Sequence, residues 1–135
     1  MQAIILAAGM GRRLGSYTKE NTKCMVPVNG VRLIDRVLTQ LSALHLKRVL
    51  MVVGYKGKEL IHHIGERYAD ALKIEYVENP IYDRTNNIYS LSLVKEQMQE
   101  DDTLLIESDL IFSDRLFSMI LADERPNIAL VAKYE

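Results

Sequence analysis

Cysteine, net charge and long apolar runs are scarce in this 135-residue chain, and each scarcity excludes a class of protein. A single cysteine, Cys24, excludes an internal disulfide and is typical of a protein of the reducing cytoplasm. Because 17 basic residues face 18 acidic ones, the net charge is −1, and we expect no nucleic-acid and no membrane partner. The apolar runs are too short for a membrane span, and the start lacks the basic region of a signal peptide, so we expect a cytoplasmic location.

The length and composition are those of one globular domain. Hydrophobic residues make up 48% and charged residues 26% of the chain, which is an ordinary balance for a domain with its own core. Internal repeats, low-complexity tracts and linkers are absent from the sequence. Nothing in the sequence points to a particular oligomeric state.

A glycine-rich loop follows the first apolar segment. Residues 2–7 are a short apolar run, typical of a buried parallel strand, and Gly9 and Gly11 follow it. Glycine lets the backbone turn sharply and approach a ligand, and successive N–H groups in such a loop bind anions. Arg13 offers phosphate oxygens a planar fork, and Lys23 adds a compact charge. We therefore expect a phosphate site here rather than a solvated glycine turn.

Two common phosphate motifs are not satisfied by this loop. A Walker A loop requires Gly-Lys-Ser/Thr, which this stretch lacks. The dinucleotide fingerprint requires glycine at position 14, where this chain has Leu14, and Gly15 comes one place late. A kinase-like site and a dinucleotide site are both disfavoured.

Strand and helix patterns alternate along the rest of the chain. The hydrophobic spacing predicts helices over 31–46, 57–70, 86–98 and 113–121, and strands over 47–53, 73–78, 103–106 and 127–132. This alternation predicts an α/β fold of three layers, with helices on both faces of a mostly parallel sheet. Ligands of such sheets bind beyond the carboxyl ends of the strands, so the loops after residues 7, 53, 78 and 106 are expected to share one edge.

An aspartate marks the same edge of the predicted sheet. Asp109 follows the apolar strand at 103–106, and Mg²⁺ takes one or two carboxylates together with phosphate oxygens and water. Next to a phosphate loop, a metal role is favoured for Asp109 over merely starting the next turn. Glu107 would lie on the same face if the strand continues, and its role stays open between ligand and structural residue.

The glycine loop resembles the start of nucleotidyltransferases that join a nucleoside triphosphate to a phosphorylated small molecule. The residues that match their L-A-A-G-x-G-x-R-L/M signature, and the lysine that follows it, are Leu6, Ala7, Ala8, Gly9, Gly11, Arg13, Leu14 and Lys23. Thr22 stands where the family often has proline, which removes a rigid residue before the lysine. The resemblance implies a nucleotide-diphospho-sugar transferase fold, nucleotide binding by residues 6–9, Gly11 and Arg13, catalytic roles for Arg13 and Lys23, and Mg²⁺ on Asp109.

The resemblance covers the whole chain but only the first part of the family domain. Residues 1–135 are therefore expected to be the N-terminal, nucleotide-binding part of a single nucleotidyltransferase domain, in a truncated form. The second magnesium-binding aspartate of the family would lie beyond Glu135. The resemblance thus implies an incomplete metal site.

Residues 79–96 resemble a segment of bacterial choline-phosphate cytidylyltransferases. The residues that carry this likeness are Asn79, Tyr82, Asn87, Ile88, Tyr89 and Ser90. Amide and hydroxyl groups suit a base edge or ribose, so Asn87 and Ser90 are expected to bind the nucleotide. Tyrosine faces attract quaternary ammonium groups, so Tyr82 and Tyr89 are expected to bind the acceptor, unless they only pack the loop.

The two resemblances together imply a cytidylyltransferase that joins CTP to a phosphorylated amino-alcohol such as phosphocholine, with Mg²⁺ as cofactor. One alternative keeps the reaction and changes the acceptor to a sugar-1-phosphate, an inositol phosphate or an aminoethylphosphonate. The other alternative is an inactive nucleotide-binding fragment.

Overall fold

A parallel sheet organises the computed structural model, which describes residues 1–10, 22–129 and 131. In chain order, the strands are β1 (Gln2–Ala7), β2 (Pro27–Val28), β3 (Val31–Arg32), β4 (Val49–Val53), β5 (Ile74–Glu78) and β6 (Thr103–Glu107). The helices are α1 (Leu33–Ser42), α2 (Gly57–Ile64), α3 (Asn87–Ser92), α4 (Lys95–Met98) and α5 (Asp114–Ala122). Within these ranges, no helix is long and apolar enough to cross a membrane.

The register of the sheet brings the carboxyl ends of its strands to one edge. The order is β5-β4-β1-β6, and every neighbouring pair is parallel. Ala7 pairs with Val53, and Val53 pairs with Glu78. Leu6 pairs with Glu107 on the other side of β1. The predicted common edge for the four loops is thus confirmed.

Helices cover both faces of the sheet, which confirms the three-layer α/β prediction. On one face, alternate residues of β1 pack against α1, α2 and α5, and the buried members include Ala3, Ile5, Ile34, Leu38, Leu41, Leu60, Ile64 and Phe117. On the opposite face, Ile4, Leu6, Leu50 and Val52 of the sheet are buried together with Val94, which lies between α3 and α4. Each fully buried aliphatic side chain contributes about 1.5–3 kcal/mol, so these two clusters hold the sheet in place.

The first predicted helix is shorter than its hydrophobic spacing suggests. β2 and β3 form a hairpin whose turn residues, Asn29 and Gly30, have φ of 52° and 78°, so α1 starts only at Leu33. An Asn-Gly pair is typical of such a turn because both residues tolerate positive φ. After Ser42 the chain leaves the helix, and His45 takes φ of 53°.

Other boundaries also differ from the sequence predictions. The helix predicted over 57–70 ends at Ile64, because Gly65 takes φ of 44° and closes it with a hydrogen bond to the Ile61 carbonyl. The helix predicted over 86–98 is divided into α3 and α4. A strand was predicted over 127–132, but residues 127–129 are outside any strand, and 130 and 132 lie outside the described residues.

A polar contact ties α1 to the segment after α2. The Asp35 carboxylate accepts one hydrogen bond from the Tyr68 hydroxyl at 2.5 Å, and its other oxygen lies 2.8 Å from Nε2 of the His63 ring. Burial raises the pKa of Asp35, but these hydrogen bonds outweigh it and leave the pKa below its ordinary value. The stabilisation is therefore present above the unfolded-state pKa and is lost as the pH falls through the lower, folded-state pKa.

Candidate functional site

The loops at the carboxyl edge of the sheet are held against one another by backbone hydrogen bonds. The Tyr55 N–H donates to the Ala8 carbonyl at 3.4 Å, which joins the loop after β4 to the loop after β1. The Asn79 N–H donates to the Val53 carbonyl at 2.7 Å, which joins the loop after β5 to β4. The three loops therefore form a continuous surface.

The described start of the glycine loop leaves room for a ligand. A Cβ added at Gly9 would meet no heavy atom of the described residues within 4 Å. Leu6, Ala7 and Ala8 are buried, so any ligand contact from them would come from the backbone. Gly11, Arg13 and Leu14 lie outside the described residues, and their roles stay predictions.

Thr22 fixes the approach to Lys23 by hydrogen bonds. Its side chain is almost fully buried, with 1% exposed, and its hydroxyl donates to the carbonyls of Ala7 and Gly9 at 3.3 and 2.9 Å. A short 3₁₀ helix, Lys23–Met25, follows directly. The hydroxyl thus anchors this segment beside the glycine loop, at the position where the family often uses the rigidity of proline.

Lys23 and Asp109 meet at the end of β6. The Lys23 ammonium Nζ lies 2.6 Å from the Asp109 carboxylate Oδ2. Their side chains are 38% and 28% exposed, so the pair is in contact with solvent. The residues for which the sequence predicted a phosphate contact and a metal contact are therefore direct neighbours.

Cys24, which follows Lys23 in the 3₁₀ helix, packs into the hydrophobic core. It is fully buried, and burial raises the pKa of its thiol to about 12. The neighbouring Ser108 side chain, which immediately precedes Asp109, lowers the pKa of the thiol, but burial outweighs this effect. A protonated, inaccessible thiol is not a nucleophile.

Glu107 and Asp109 have different partners. The strand ends at Glu107, so the continuation that would have placed both carboxylates on one face does not occur. The Asn87 amide donates to Glu107 at 2.9 Å, which connects α3 to β6. Asn87 is itself exposed at the start of α3, in a position open to a ligand.

The donor set suits a cation that arrives with phosphates. Among the described residues, no group of three or more His, Cys, Asp or Glu side chains could hold a metal ion. Mg²⁺ needs only one or two carboxylates when phosphate oxygens and water complete its shell. Asp109, with its partly exposed carboxylate, fits that requirement.

Asn79 organises the loop that follows β5. Its side chain is 1% exposed, and its amide donates to the hydroxyls of Thr85 and Ser90 at 3.0 and 3.1 Å. Its carbonyl oxygen accepts from the Ile81 N–H at 3.1 Å. Ser90 is buried as well, so this geometry gives it a supporting position, and its nucleotide contact stays a prediction.

Asn86 begins α3 as its N-cap. Its side chain accepts from the N–H groups of Ile88 and Tyr89, which satisfies two donors of the first turn. Tyr89 is consequently held half-buried in that turn, while Ile88 is exposed. The acceptor contact predicted for Tyr89 stays a prediction. The pattern signal for Asn86 was present in the sequence, since Asn before a helical segment is a preferred cap.

Tyr82 packs over the loop after β4. A Cβ at Gly54 would lie only 2.7 Å from the Tyr82 Cβ and 3.0 Å from the Ala8 Cβ. The rings of Tyr55 and Tyr82 are 5.9 Å apart between centroids, with their planes at 57°. Tyr82 therefore packs against the loop after β4, and its residue is half-buried. The acceptor contact predicted for Tyr82 stays a prediction.

The fold and site together define a class of protein. A parallel sheet whose edge gathers a glycine loop, a lysine paired with an aspartate, and an amide-rich helix start has the organisation of an α/β nucleotidyltransferase. The chain belongs to the family described as the MobA-like NTP transferase domain, whose model matches residues 3–135.

Two curated relatives and one solved structure that are similar to this chain are cytidylyltransferases. The chain is 37% identical to a 2-aminoethylphosphonate cytidylyltransferase of Lancefieldella rimae, over 83% of this chain and 44% of the relative. It is 35% identical to a choline-phosphate cytidylyltransferase of Streptococcus pneumoniae, over 87% and 48%. The solved structure of CTP:phosphocholine cytidylyltransferase (LicC) from Streptococcus pneumoniae superposes with a TM-score of 0.69 at 36% identity, covering 80% of this chain and 44% of that one.

These matches confirm the predicted family and the nucleotide-diphospho-sugar transferase fold. The chain spans less than half the length of these two curated relatives.

Proposed function

We propose that residues 1–135 are the nucleotide-binding part of a cytidylyltransferase domain that joins CTP to a phosphorylated amino-alcohol, most simply phosphocholine. The observation that carries the proposal is the contact of Lys23 with Asp109 beside the glycine loop. The choline-phosphate cytidylyltransferase relative supports the choice of nucleotide and acceptor. The 2-aminoethylphosphonate relative favours a second candidate, in which the same reaction uses an aminophosphonate acceptor.

The proposed reaction is an in-line displacement at the α-phosphorus of CTP. An acceptor oxygen forms the new P–O bond, the bond from the α-phosphorus to the bridging oxygen breaks, and pyrophosphate leaves with that oxygen's electron pair. The attacking oxygen is already anionic, so the step requires no general base. Positioning and charge neutralisation carry most of such a reaction.

The residues of this chain divide those tasks. The glycine loop and Arg13 hold the triphosphate and the departing pyrophosphate, and Lys23 stabilises the charge that develops at the α-phosphate. Asp109 would hold Mg²⁺, and a bound Mg²⁺ would neutralise charge on the phosphate oxygens. None of these residues forms a covalent bond to the substrate.

The loop after β5 and the start of α3 serve the rest of the substrates. Asn87, oriented by Glu107, offers an amide to the cytosine edge or the ribose. The faces of Tyr82 and Tyr89 attract an ammonium group of the acceptor. An aminophosphonate and phosphocholine both carry such a cation, so the tyrosines suit either acceptor.

A substrate panel tests the proposed function. Pyrophosphate release is measured with CTP, UTP, dTTP and GTP against phosphocholine, 2-aminoethylphosphonate, a sugar-1-phosphate and inositol phosphate. For the complete enzyme, of which residues 1–135 are the proposed nucleotide-binding part, we expect release with CTP and a cationic acceptor. Release only with UTP or dTTP and a sugar-1-phosphate contradicts the proposal, and CTP binding without any turnover identifies a binding module instead.

Replacing Asp109 with asparagine is expected to raise the Mg²⁺ concentration needed for half-maximal turnover by about tenfold or more, because a neutral amide is a poor ligand for a hard cation. The measurement is a Mg²⁺ titration of pyrophosphate release at saturating CTP. Glu107→Gln is the matched control, since glutamine keeps an acceptor for Asn87 and Glu107 has no proposed metal contact. A metal titration unchanged by Asp109→Asn would exclude ligation by this residue.

A further inference from the structure

The Lys23–Asp109 ion pair joins two groups that the proposed function assigns to ligands of opposite charge. Lys23 is to bind an anionic phosphate, and Asp109 is to bind a divalent cation, yet Nζ and Oδ2 lie 2.6 Å apart. We propose that Lys23 occupies Asp109 as a stand-in cation, and that the metal position opens only when a triphosphate draws the ammonium away. This inference rests on the proposed function and adds an order to it, since metal does not bind first.

Buried residues flank Lys23 and precede Asp109, so an exchange of partners requires movement of the two charged side chains rather than of the segments that carry them. Lys23 lies between Thr22 and Cys24, and both of these neighbours are buried. Asp109 follows Ser108, which is buried. The two charged groups therefore stay within reach of each other whatever their side chains bind.

The exposure of the ion pair makes it exchangeable. With 38% and 28% of the two side chains exposed, water screens the attraction. A triphosphate offers the Lys23 ammonium several anionic oxygens in place of one carboxylate. The attraction of Lys23 to the triphosphate is therefore stronger than its attraction to Asp109. In the proposal, Lys23 therefore occupies the Asp109 carboxylate when no ligand is bound, and a ligand can displace it.

A divalent cation alone is a poor competitor for Asp109. It would have one carboxylate as ligand, because Glu107 is engaged by Asn87 and no larger ligand group exists among the described residues. It would also lie beside the ammonium of Lys23 and be repelled by it. A triphosphate removes both obstacles, since it supplies oxygen ligands and takes Lys23.

The test is the binding of Mn²⁺ alone to the protein, measured from the free-ion signal in electron paramagnetic resonance without nucleotide. Lys23→Met is expected to tighten Mn²⁺ binding about fivefold, which corresponds to the loss of a partly exposed ion pair. Lys23→Gln is expected to give the same gain. Lys23→Arg keeps a cation that can pair with Asp109 and is expected to match the wild type.

Two further variants separate the contact from general charge. Lys56→Met removes a lysine from the loop after β4, which has no ion pair with Asp109, and is expected to leave Mn²⁺ affinity unchanged. Adding Asp109→Asn to Lys23→Met is expected to abolish the gain. Thermal melting of each variant confirms that the fold is retained.

The inference is overturned if Lys23→Met and Lys23→Gln bind Mn²⁺ no tighter than the wild type, or if Lys56→Met gains as much. Pyrophosphate release by the wild type in the substrate panel, combined with no gain in these variants, rejects the stand-in role alone. The absence of both CTP binding and turnover in the panel rejects the proposed function, whatever the Mn²⁺ result.

Discussion

In the complete enzyme, Lys23→Ala is expected to lower turnover about 100- to 1,000-fold, while CTP affinity is expected to fall by less than about tenfold. The reason is that charge on the α-phosphate oxygens grows in the transition state, and a cation positioned in advance stabilises that state more than the bound substrate. The measurement combines single-turnover kinetics of pyrophosphate release with calorimetric CTP binding. Equal losses in both quantities would mean that Lys23 only binds the nucleotide.

Two controls isolate the chemical role of this lysine. Lys56→Ala removes a second cation from the same edge of the sheet and is expected to keep turnover within about twofold of the wild type. Melting temperature is expected to change little for Lys23→Ala, because a partly exposed ion pair contributes at most about 1 kcal/mol to the free energy of unfolding. A large loss of stability would therefore assign a structural role to Lys23.

The two glycines that follow β1 and β4 are expected to respond in opposite ways to the same added methyl group. Gly54→Ala lowers the free energy of unfolding by about 1–3 kcal/mol, because its Cβ would lie 2.7 Å from the Tyr82 Cβ and 3.0 Å from the Ala8 Cβ. Both obstructing atoms are attached directly to the backbone, so relief requires the loops themselves to shift. Chemical denaturation of each variant measures the effect.

Gly9→Ala is the matched variant, with the same chemical change in open space. Its methyl group meets none of the described atoms within 4 Å, so the free energy of unfolding is expected to stay within about 1 kcal/mol of the wild type. CTP affinity is nevertheless expected to fall about tenfold or more, because the methyl group occupies the space that a phosphate chain approaches. Unchanged CTP affinity would remove Gly9 from the nucleotide site, and unchanged stability of Gly54→Ala would contradict the packing of Tyr82.

The order of strands and helices could be predicted because each buried strand is a short apolar run with a loop at its end. β1, β4 and β6 are such runs, and their parallel pairing follows from the helices between them. Helix ends were less predictable, since hydrophobic spacing continues past the point where a single residue leaves helical φ. Gly65 ended α2 in this way, although its apolar spacing extended further.

The site was predictable as residue types at a sheet edge, and its contacts were not. The glycine loop and the aspartate after β6 both carry local patterns, so Lys23 and Asp109 could be named from the sequence. Their direct contact depends on how the segment after the loop returns to the sheet, and this is fixed by the buried hydroxyl of Thr22. A threonine before a lysine carries no signal of that kind by itself.

Ser90 is a second residue whose contacts could not be predicted from the sequence. The predicted nucleotide contact of Ser90 stays a prediction, and the structure adds a partner that the sequence did not indicate, since the Ser90 hydroxyl accepts a hydrogen bond from Asn79. Whether a polar side chain faces a ligand or a neighbour is decided by tertiary packing, which a sequence pattern does not contain.

Because Cys24 is buried, the reaction rate of the chain's single thiol reports how often the segment that carries Lys23 opens. With no exposed surface and a pKa of about 12, the thiol reacts with an alkylating reagent only while that segment is open. The labelling rate under native conditions therefore measures the opening free energy of this part of the fold. Since the chain has no other cysteine, labelling the wild-type protein with and without CTP tests whether the nucleotide slows the opening of the segment that carries Lys23.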